Sequence, residues 1–486
     1  MSFSRWAAGA AGLAASTVVV IAAQQAPPPQ QPPPPQPQQG AGAAQAAQAP
    51  DPVRDMVGRL TLDQYKATIK GLTQFGDRRQ GTKRNRDAID WIEAQLKSYG
   101  CTNTERITYM HPSAEARDPD APQRGGGGGQ GGRGGQGARA GGAGAGAAGA
   151  AAAAGGDDPP AAGAAGGGRG GRGPVLGPLP APVRNSSGGS TLYGNRGRTG
   201  VFNVPVTAEA PPAGLDPRLY ELNKEPAPPS GPNDPPTQRQ NVYCTKIGTT
   251  RPDEMYILGA HMDGHGWGEA ANDDGSGTAL VMQLARVFSS PDIQTERSIR
   301  FVLWNNEETG LNGAWAYVNQ RKNLQGKEEP AGSGKYPEPK WLGMIQHDMM
   351  MWDHGMPRAD GSLNPEQRPE ADVNVEWQST SKMAEGAMKL ALFVKLSADK
   401  YTTDYPATLG PHMTNTDSGP FMNLVPAISL RENERGMHTG SGWNPTWHQP
   451  IDVYTTFSDK DFKLGLNAAQ TTLSAIAQLT GATIKK

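Results

Sequence analysis

Residues 124–173 of this chain are almost wholly Gly and Ala, with five Arg and isolated Gln, so they carry too little apolar surface to order a core of their own. The Pro-rich stretch that follows continues the same character, and 112–237 reads as one low-complexity insertion, with a small strand at 201–206. Residues 27–50 form a second such segment, a Pro/Gln-rich linker. Folding capacity is therefore confined to 51–111 and 238–486. Setting the low-complexity stretches aside leaves about 310 residues, enough for one large domain with a closed core. Arg-Gly-Gly repeats occur in RNA-binding tails, but the five Arg here have no aromatic neighbours on which bases could stack. A formal net charge of −1 gives no field for nucleic acid or an acidic membrane surface, so neither is expected as a partner.

Residues 1–26 read as an export signal. Arg5 supplies a short positive start, 7–23 is apolar apart from Ser16 and Thr17, and small residues follow. The alternative is an uncleaved anchor, for which the Ala/Gly-rich run is short and weakly hydrophobic. Either way the body is expected outside the cytoplasm, periplasmic or extracellular, with no stable membrane insertion once the signal is cleaved. Two cysteines, Cys101 and Cys244, are too few for a zinc–thiolate site or a disulfide framework. One bridge is the most they supply, and whether it forms is left open.

Leu62, Tyr65, Ile69 and Leu72 share one helical face behind a Thr61/Gln64 capping box. Ala88, Ile89, Ile92 and Leu96 mark a second helix that Gly100 closes, and a strand follows over 105–110. Beyond the insertion, strands are expected at 241–247, 254–262, 299–305, 341–347, 372–376 and 427–430. Helices are expected at 277–288, 311–319, 382–401 and 459–479. The runs 254–262 and 299–305 are nearly continuous in apolar residues, as for interior strands covered on both faces. This alternation predicts an α/β fold: a doubly wound, mostly parallel or mixed central sheet with helices on both faces. Sites in such sheets lie at the carboxyl ends of strands.

Chemistry-bearing residues collect at those ends. His261 and Asp263 are spaced to point to one side of an extended segment, where a carboxylate can fix the tautomer of a metal-bound imidazole. Asp273 and Asp274 stand on a Gly-rich turn that opens a helix. Glu307 and Glu308 follow the next strand, Asp348 another, and His448 comes late in the chain. Singly, each has an ordinary reading: a hydrogen-bonded pair, a turn, favourable charge at a helix start. Together they are imidazole and carboxylate donors without thiolate, which suits zinc, with manganese or cobalt as substitutes.

The segments Gly259-Ala260-His261-Met262-Asp263, Asn272-Asp273-Asp274-Gly275-Ser276-Gly277, Asn306-Glu307-Glu308-Thr309-Gly310-Leu311, Gln346-His347-Asp348-Met349 and His448-Gln449-Pro450-Ile451-Asp452 resemble, in order and spacing, the co-catalytic di-zinc peptidase family. That family (clan MH) contains bacterial secreted aminopeptidases, glutamate carboxypeptidase and the transferrin receptor ectodomain. Thr416-Asp417-Ser418-Gly419-Pro420-Phe421 and Arg79-Gln80-Gly81-Thr82 add to the likeness. The resemblance implies the zinc exopeptidase fold, two Zn2+ per chain and peptide substrates. It implies that His261 and Asp348 bind one zinc, Glu308 and His448 the other, and Asp273 both. It further implies that Asp263 orients His261, that Glu307 is the general base, and that the Asp273–Asp274 peptide is cis.

The chain departs from the pattern at Trp447, where many relatives have Tyr, and at Gly264 and Ser418, where Ser and His are common. His265, His347 and His354 match no metal position and are expected as lining or core residues. Aminopeptidase activity is the expected one. A carboxypeptidase would need cations for the substrate's carboxylate, for which Arg431 and Arg435 are candidates, and a receptor domain would have lost ligands that are all present here.

Overall fold

The computed structural model describes residues 51–112, 216–225, 228–229, 233–264, 267–352, 372–402, 404–413, 416–432, 446–448 and 450–485. The expected signal, the linker, the strand at 201–206, His265, His354 and Arg435 lie outside these. Among the described residues no helix is long and apolar enough to cross a membrane.

Helices α1 (Pro52–Val57), α2 (Leu62–Thr73) and α3 (Lys83–Ser98) come first. Thr61 caps α2 by accepting from Gln64 N, and Tyr65, Ile69 and Leu72 are buried on one face, while Leu62 is only half-buried. Ala88, Ile89, Ile92 and Leu96 form the buried face of α3. Strand β1 (Thr104–His111) pairs antiparallel with β2 (Thr237–Lys246), from Thr104 opposite Cys244 to His111 opposite Thr237. The insertion thus leaves and returns at the open end of a two-stranded ladder.

One helix inside the insertion departs from the sequence reading. Helix α4 (Pro217–Asn223) is short, and its Pro/Gly-rich flanks conceal any period. It forms because Asp216 caps Arg218 N, Pro217 occupies the first turn, and Leu219, Tyr220 and Asn223 are buried.

The remaining elements are β3 (Arg251–His261), α5 (Gly275–Phe288), β4 (Ile293–Gln294), β5 (Arg297–Trp304), α6 (Asn312–Arg321), β6 (Lys340–His347), β7 (Val373–Trp377), α7 (Ala384–Tyr401), β8 (Ala407–Gly410), β9 (Ala427–Glu432), α8 (Asp459–Leu479) and β10 (Thr483–Ile484). An eight-stranded sheet runs β1-β2-β5-β3-β6-β9-β7-β8. Its centre, β5-β3-β6-β9, is parallel, and β2 against β5 and β9 against β7 are antiparallel. The expected mixed α/β sheet is the observed one. Along β3, Leu258 and Ala260 pack into a core with residues of α2, α3, α5, α7 and α8. Met255 and Ile257 face the opposite side, with α6. The period of two therefore buries both faces and makes the strand apolar throughout.

Cys101 and Cys244 are joined by a disulfide, with Cα atoms 6.1 Å apart and a sequence separation of 143. It ties the first block of the chain to the second across the insertion. By the loop-entropy account, the Cys101→Ser/Cys244→Ser protein is expected to lose about 5 kcal/mol of unfolding free energy. Urea unfolding of both proteins checks this as a drop in midpoint.

Candidate metal centre

The parallel register builds the site. His261 ends β3 opposite Trp304 of β5, and Ala260 lies opposite His347 of β6. Residues just beyond those strands, Glu307 and Glu308 on one side and Asp348 on the other, therefore converge on His261. Asp273 enters from the turn before α5, and His448 from the 446–448 turn. All seven residues expected at the site, Asp263 included, are buried here.

Asp273 stands between the two imidazoles. Its Oδ1 is 3.3 Å from His261 Nε2 and its Oδ2 is 3.1 Å from His448 Nε2. Asp348 Oδ1 lies 3.7 Å from His261 Nε2, and Glu308 Oε2 lies 2.9 Å from His448 Nε2. Zinc–donor bonds of about 2.0–2.2 Å place tetrahedral ligand atoms roughly 3.3–3.6 Å apart, close to these spacings. The triads His261–Asp273–Asp348 and Asp273–Glu308–His448 share Asp273, and His261, Glu307 and Glu308 form a third close group. Imidazole and carboxylate donors at these spacings fit zinc.

Asp263, Asp273, Asp274, Glu307, Glu308, Asp348, Asp417 and Asp452 are all buried, in company with His261, His448, Arg431 and Arg78. Burial pushes Asp263 up to about 7, with Glu308 and Glu307 adding to the rise against the pull of His261. Burial also carries Asp274 and Asp417 well above the usual carboxylate range. Asp273 and Asp348 go the other way. Hydrogen bonds from His261 and His448 overcome burial at Asp273, and the Arg431 charge overcomes it at Asp348, which falls to about 2. The two carboxylates held low, Asp273 and Asp348, are ones that face His261, where a cation would meet them ionised.

Burial disfavours charge on the histidines, but the carboxylates beside them prevail. Asp273 and Asp348 raise His261 well above its ordinary value, and Glu308 and Asp273 raise His448. Raised pKa values favour the protonated imidazoles in the metal-free protein. Zinc must displace those protons, so its affinity is expected to fall as pH falls, and binding at pH 7 should release protons. Calorimetric titration in buffers of different ionisation enthalpy reads that release directly.

Buried aspartates hold the ligand segments. His261 Nδ1 meets the main-chain carbonyl of Asp263 at 2.8 Å, whereas the Asp263 carboxylate is 3.9 Å away. That carboxylate accepts from Glu307 N at 3.0 Å and Glu308 N at 3.4 Å. Asp263 thus orients the imidazole through its backbone and the glutamate pair through its side chain. Asp274, next to a cis peptide bond from Asp273, accepts from His261 N at 3.1 Å, Gly277 N at 2.9 Å and Met349 N at 3.1 Å. It joins β3, α5 and the end of β6.

The departures from the family pattern have local causes. A Cβ at Gly264 would stand 2.6 Å from Ala270 Cβ and 2.8 Å from Asp273 O, so no serine fits there. Ser418 shares a 2.7 Å hydrogen bond with Ser429. Trp447 stacks on the His448 ring, centroids 3.9 Å apart. His347 is a core residue, 3.0 Å from Gly259 O and 2.8 Å from Thr472 Oγ1, and burial lowers it to about 4. Arg431, a sequence candidate for holding substrate, instead donates to Asp348 Oδ2.

Among the described residues, the non-glycine positions with positive φ are Arg78, Trp267, Ala270, Asn306, Leu311, Met349 and His448. They sit in the segments that carry or brace the site. Such conformations cost energy and persist where surrounding contacts impose them.

The profile of peptidase family M28 matches residues 241–466. Aminopeptidase YwaD of Bacillus subtilis (strain 168) is 40% identical over 68 residues, 14% of this chain and 14% of that protein. Carboxypeptidase Q of Xenopus laevis is 29% identical over 93 residues, 19% of this chain and 20% of that protein. These matches span about a fifth or less of the curated relatives. The solved structure of BSAP, a zinc aminopeptidase from Bacillus subtilis, aligns with a TM-score of 0.48 at 14% identity, covering 88% of this chain and 96% of that one. Residues 241–466, just under half of the chain, are similar to peptidase family M28, and every residue of the candidate centre falls within that span.

Proposed function

We propose that this chain is an exported two-zinc exopeptidase that removes residues from the amino end of peptides. The observation that carries the reading is the placement of Asp273, whose two oxygens each face a different buried histidine. One carboxylate serving two metals is the arrangement of a two-metal hydrolase. Asp273, His261 and Asp348 would hold one zinc, and Asp273, Glu308 and His448 the other. Zinc bound there supplies Lewis acidity towards the scissile carbonyl and makes water a stronger nucleophile at neutral pH.

The chain's own groups handle the proton. Glu307 is buried beside His261 and Glu308, with its backbone fixed by Asp263. It takes the proton of the attacking water and returns it to the departing amine, so the peptide bond breaks into a free amine and a carboxylate. Arg431 supports the amino-terminal reading. Its guanidinium is directed at Asp348, leaving the substrate's carboxylate without that clamp. The Cys101–Cys244 bridge suits an exported protein, as disulfides persist in oxidising compartments.

The test is metal content with hydrolysis of aminoacyl-anilides, N-acetylated anilides and N-blocked dipeptides. Two zinc per chain and zinc-dependent cleavage of the free-amine anilides alone are expected. Release of the carboxyl-terminal residue from N-blocked dipeptides would establish a carboxypeptidase instead. No zinc uptake would leave a binding domain.

A further inference from the structure

We infer that Asp452 and Arg78 are positioning residues that clamp the loop carrying Asp273, so that its two oxygens reach both histidines. The inference rests on the two-zinc reading. Neither residue is in the proposed ligand set; both act on the backbone of 269–273.

Asp452 receives most of that loop's N–H groups. Its carboxylate accepts from Asn272 N at 2.8 Å through Oδ1 and from Asp273 N at 3.0 Å through Oδ2. Its carbonyl accepts from Glu269 N at 2.8 Å and Ala271 N at 3.4 Å. Arg78 takes the carbonyls. It donates to Glu269 O at 2.7 Å, Ala270 O at 2.8 Å and, at the end of β3, Met262 O at 2.8 Å. Both side chains are almost wholly buried, at 0% exposure for Arg78 and 2% for Asp452. The loop is gripped from both sides by segments far away in sequence.

Three features make this more than ordinary packing. Trp267 and Ala270 hold positive φ, a backbone that relaxes unless it is held. The grip ends on Asp273 itself, whose N–H is bonded to Asp452. Finally, Asp452 lies four residues beyond His448, so one short segment sets both the second histidine and the carboxylate it faces. The geometry is specific to a carboxylate. Two oxygens accept from two successive N–H groups, whereas an amide would turn its NH2 against one of them.

The test measures zinc affinity by competition with a chromophoric chelator, beside steady-state kinetics and thermal unfolding. Asp452→Asn is expected to weaken zinc binding about 10–100-fold and to lower kcat with little change in KM. Arg78→Lys keeps the charge but loses the fork, and should show the same signature; it decides the matter should Asp452→Asn not fold. The Cys101→Ser/Cys244→Ser protein, destabilised away from the site, should bind zinc as wild type does. Wild-type zinc affinity in both clamp variants would overturn the inference and leave the two-zinc reading standing. An equal loss of zinc affinity in the cysteine control would also overturn it, by marking the loss as one of overall stability. A wild-type chain that takes up no zinc overturns both.

Discussion

Replacing Glu307 with Gln is expected to lower kcat about 10^3-fold while the protein keeps its zinc. The amide has nearly the shape of the carboxylate, so the buried space beside His261 and Glu308 stays filled. What disappears is a carboxylate able to take up a proton. Asp263 still accepts from the backbone N–H of both neighbours, so the turn keeps its form. Metal analysis beside the rate decides between roles. Loss of rate with two zinc retained marks Glu307 as the proton carrier. Loss of rate together with loss of zinc would make it a ligand, a role its closeness to His261 and Glu308 also allows.

Asp273→Ala should have the larger effect. It removes one donor from each proposed zinc position and leaves His261 and His448 facing a gap. Several kcal/mol of transition-state stabilisation depend on the metals, and at 1.36 kcal/mol per tenfold a loss of at least about 10^4 in rate follows. Chelator-treated wild type should fall to the same level. Added zinc should restore the wild type and leave the variant inactive. A variant that recovered on zinc addition would show that the two positions are filled independently of Asp273.

The residues proposed to do chemistry were the legible ones. Metal binding and proton transfer require particular side chains, so His261, Asp273, Glu307, Glu308, Asp348 and His448 stand out at strand ends whatever surrounds them. The strands β3 and β5 were legible because burial on both faces removes polar residues from them. Strand β8 was not, being four residues with a half-exposed pattern at the sheet edge. Helix α4 was hidden by Pro/Gly-rich flanks. Asp452 and Arg78 escaped for another reason. Their contacts run to backbone groups about 180 residues away, and hydrogen bonds to a peptide unit leave no mark on the partner's residue type. Asp263 shows the same blind spot, since sequence does not reveal that its carbonyl meets the imidazole while its carboxylate holds the glutamates.

The pairing of His111 with Thr237 has a consequence for how this gene can change. β1 and β2 pair along their whole length on either side of the insertion, so the added chain closes a loop whose ends the fold already brings together. Closure entropy grows only with the logarithm of loop length, and doubling the added chain costs about 0.6 kcal/mol. Provided α4 is kept, whole Gly/Ala repeats can be gained or lost there by replication slippage with little effect on the sheet. The length of that segment can therefore change while the β1–β2 register stays as it is.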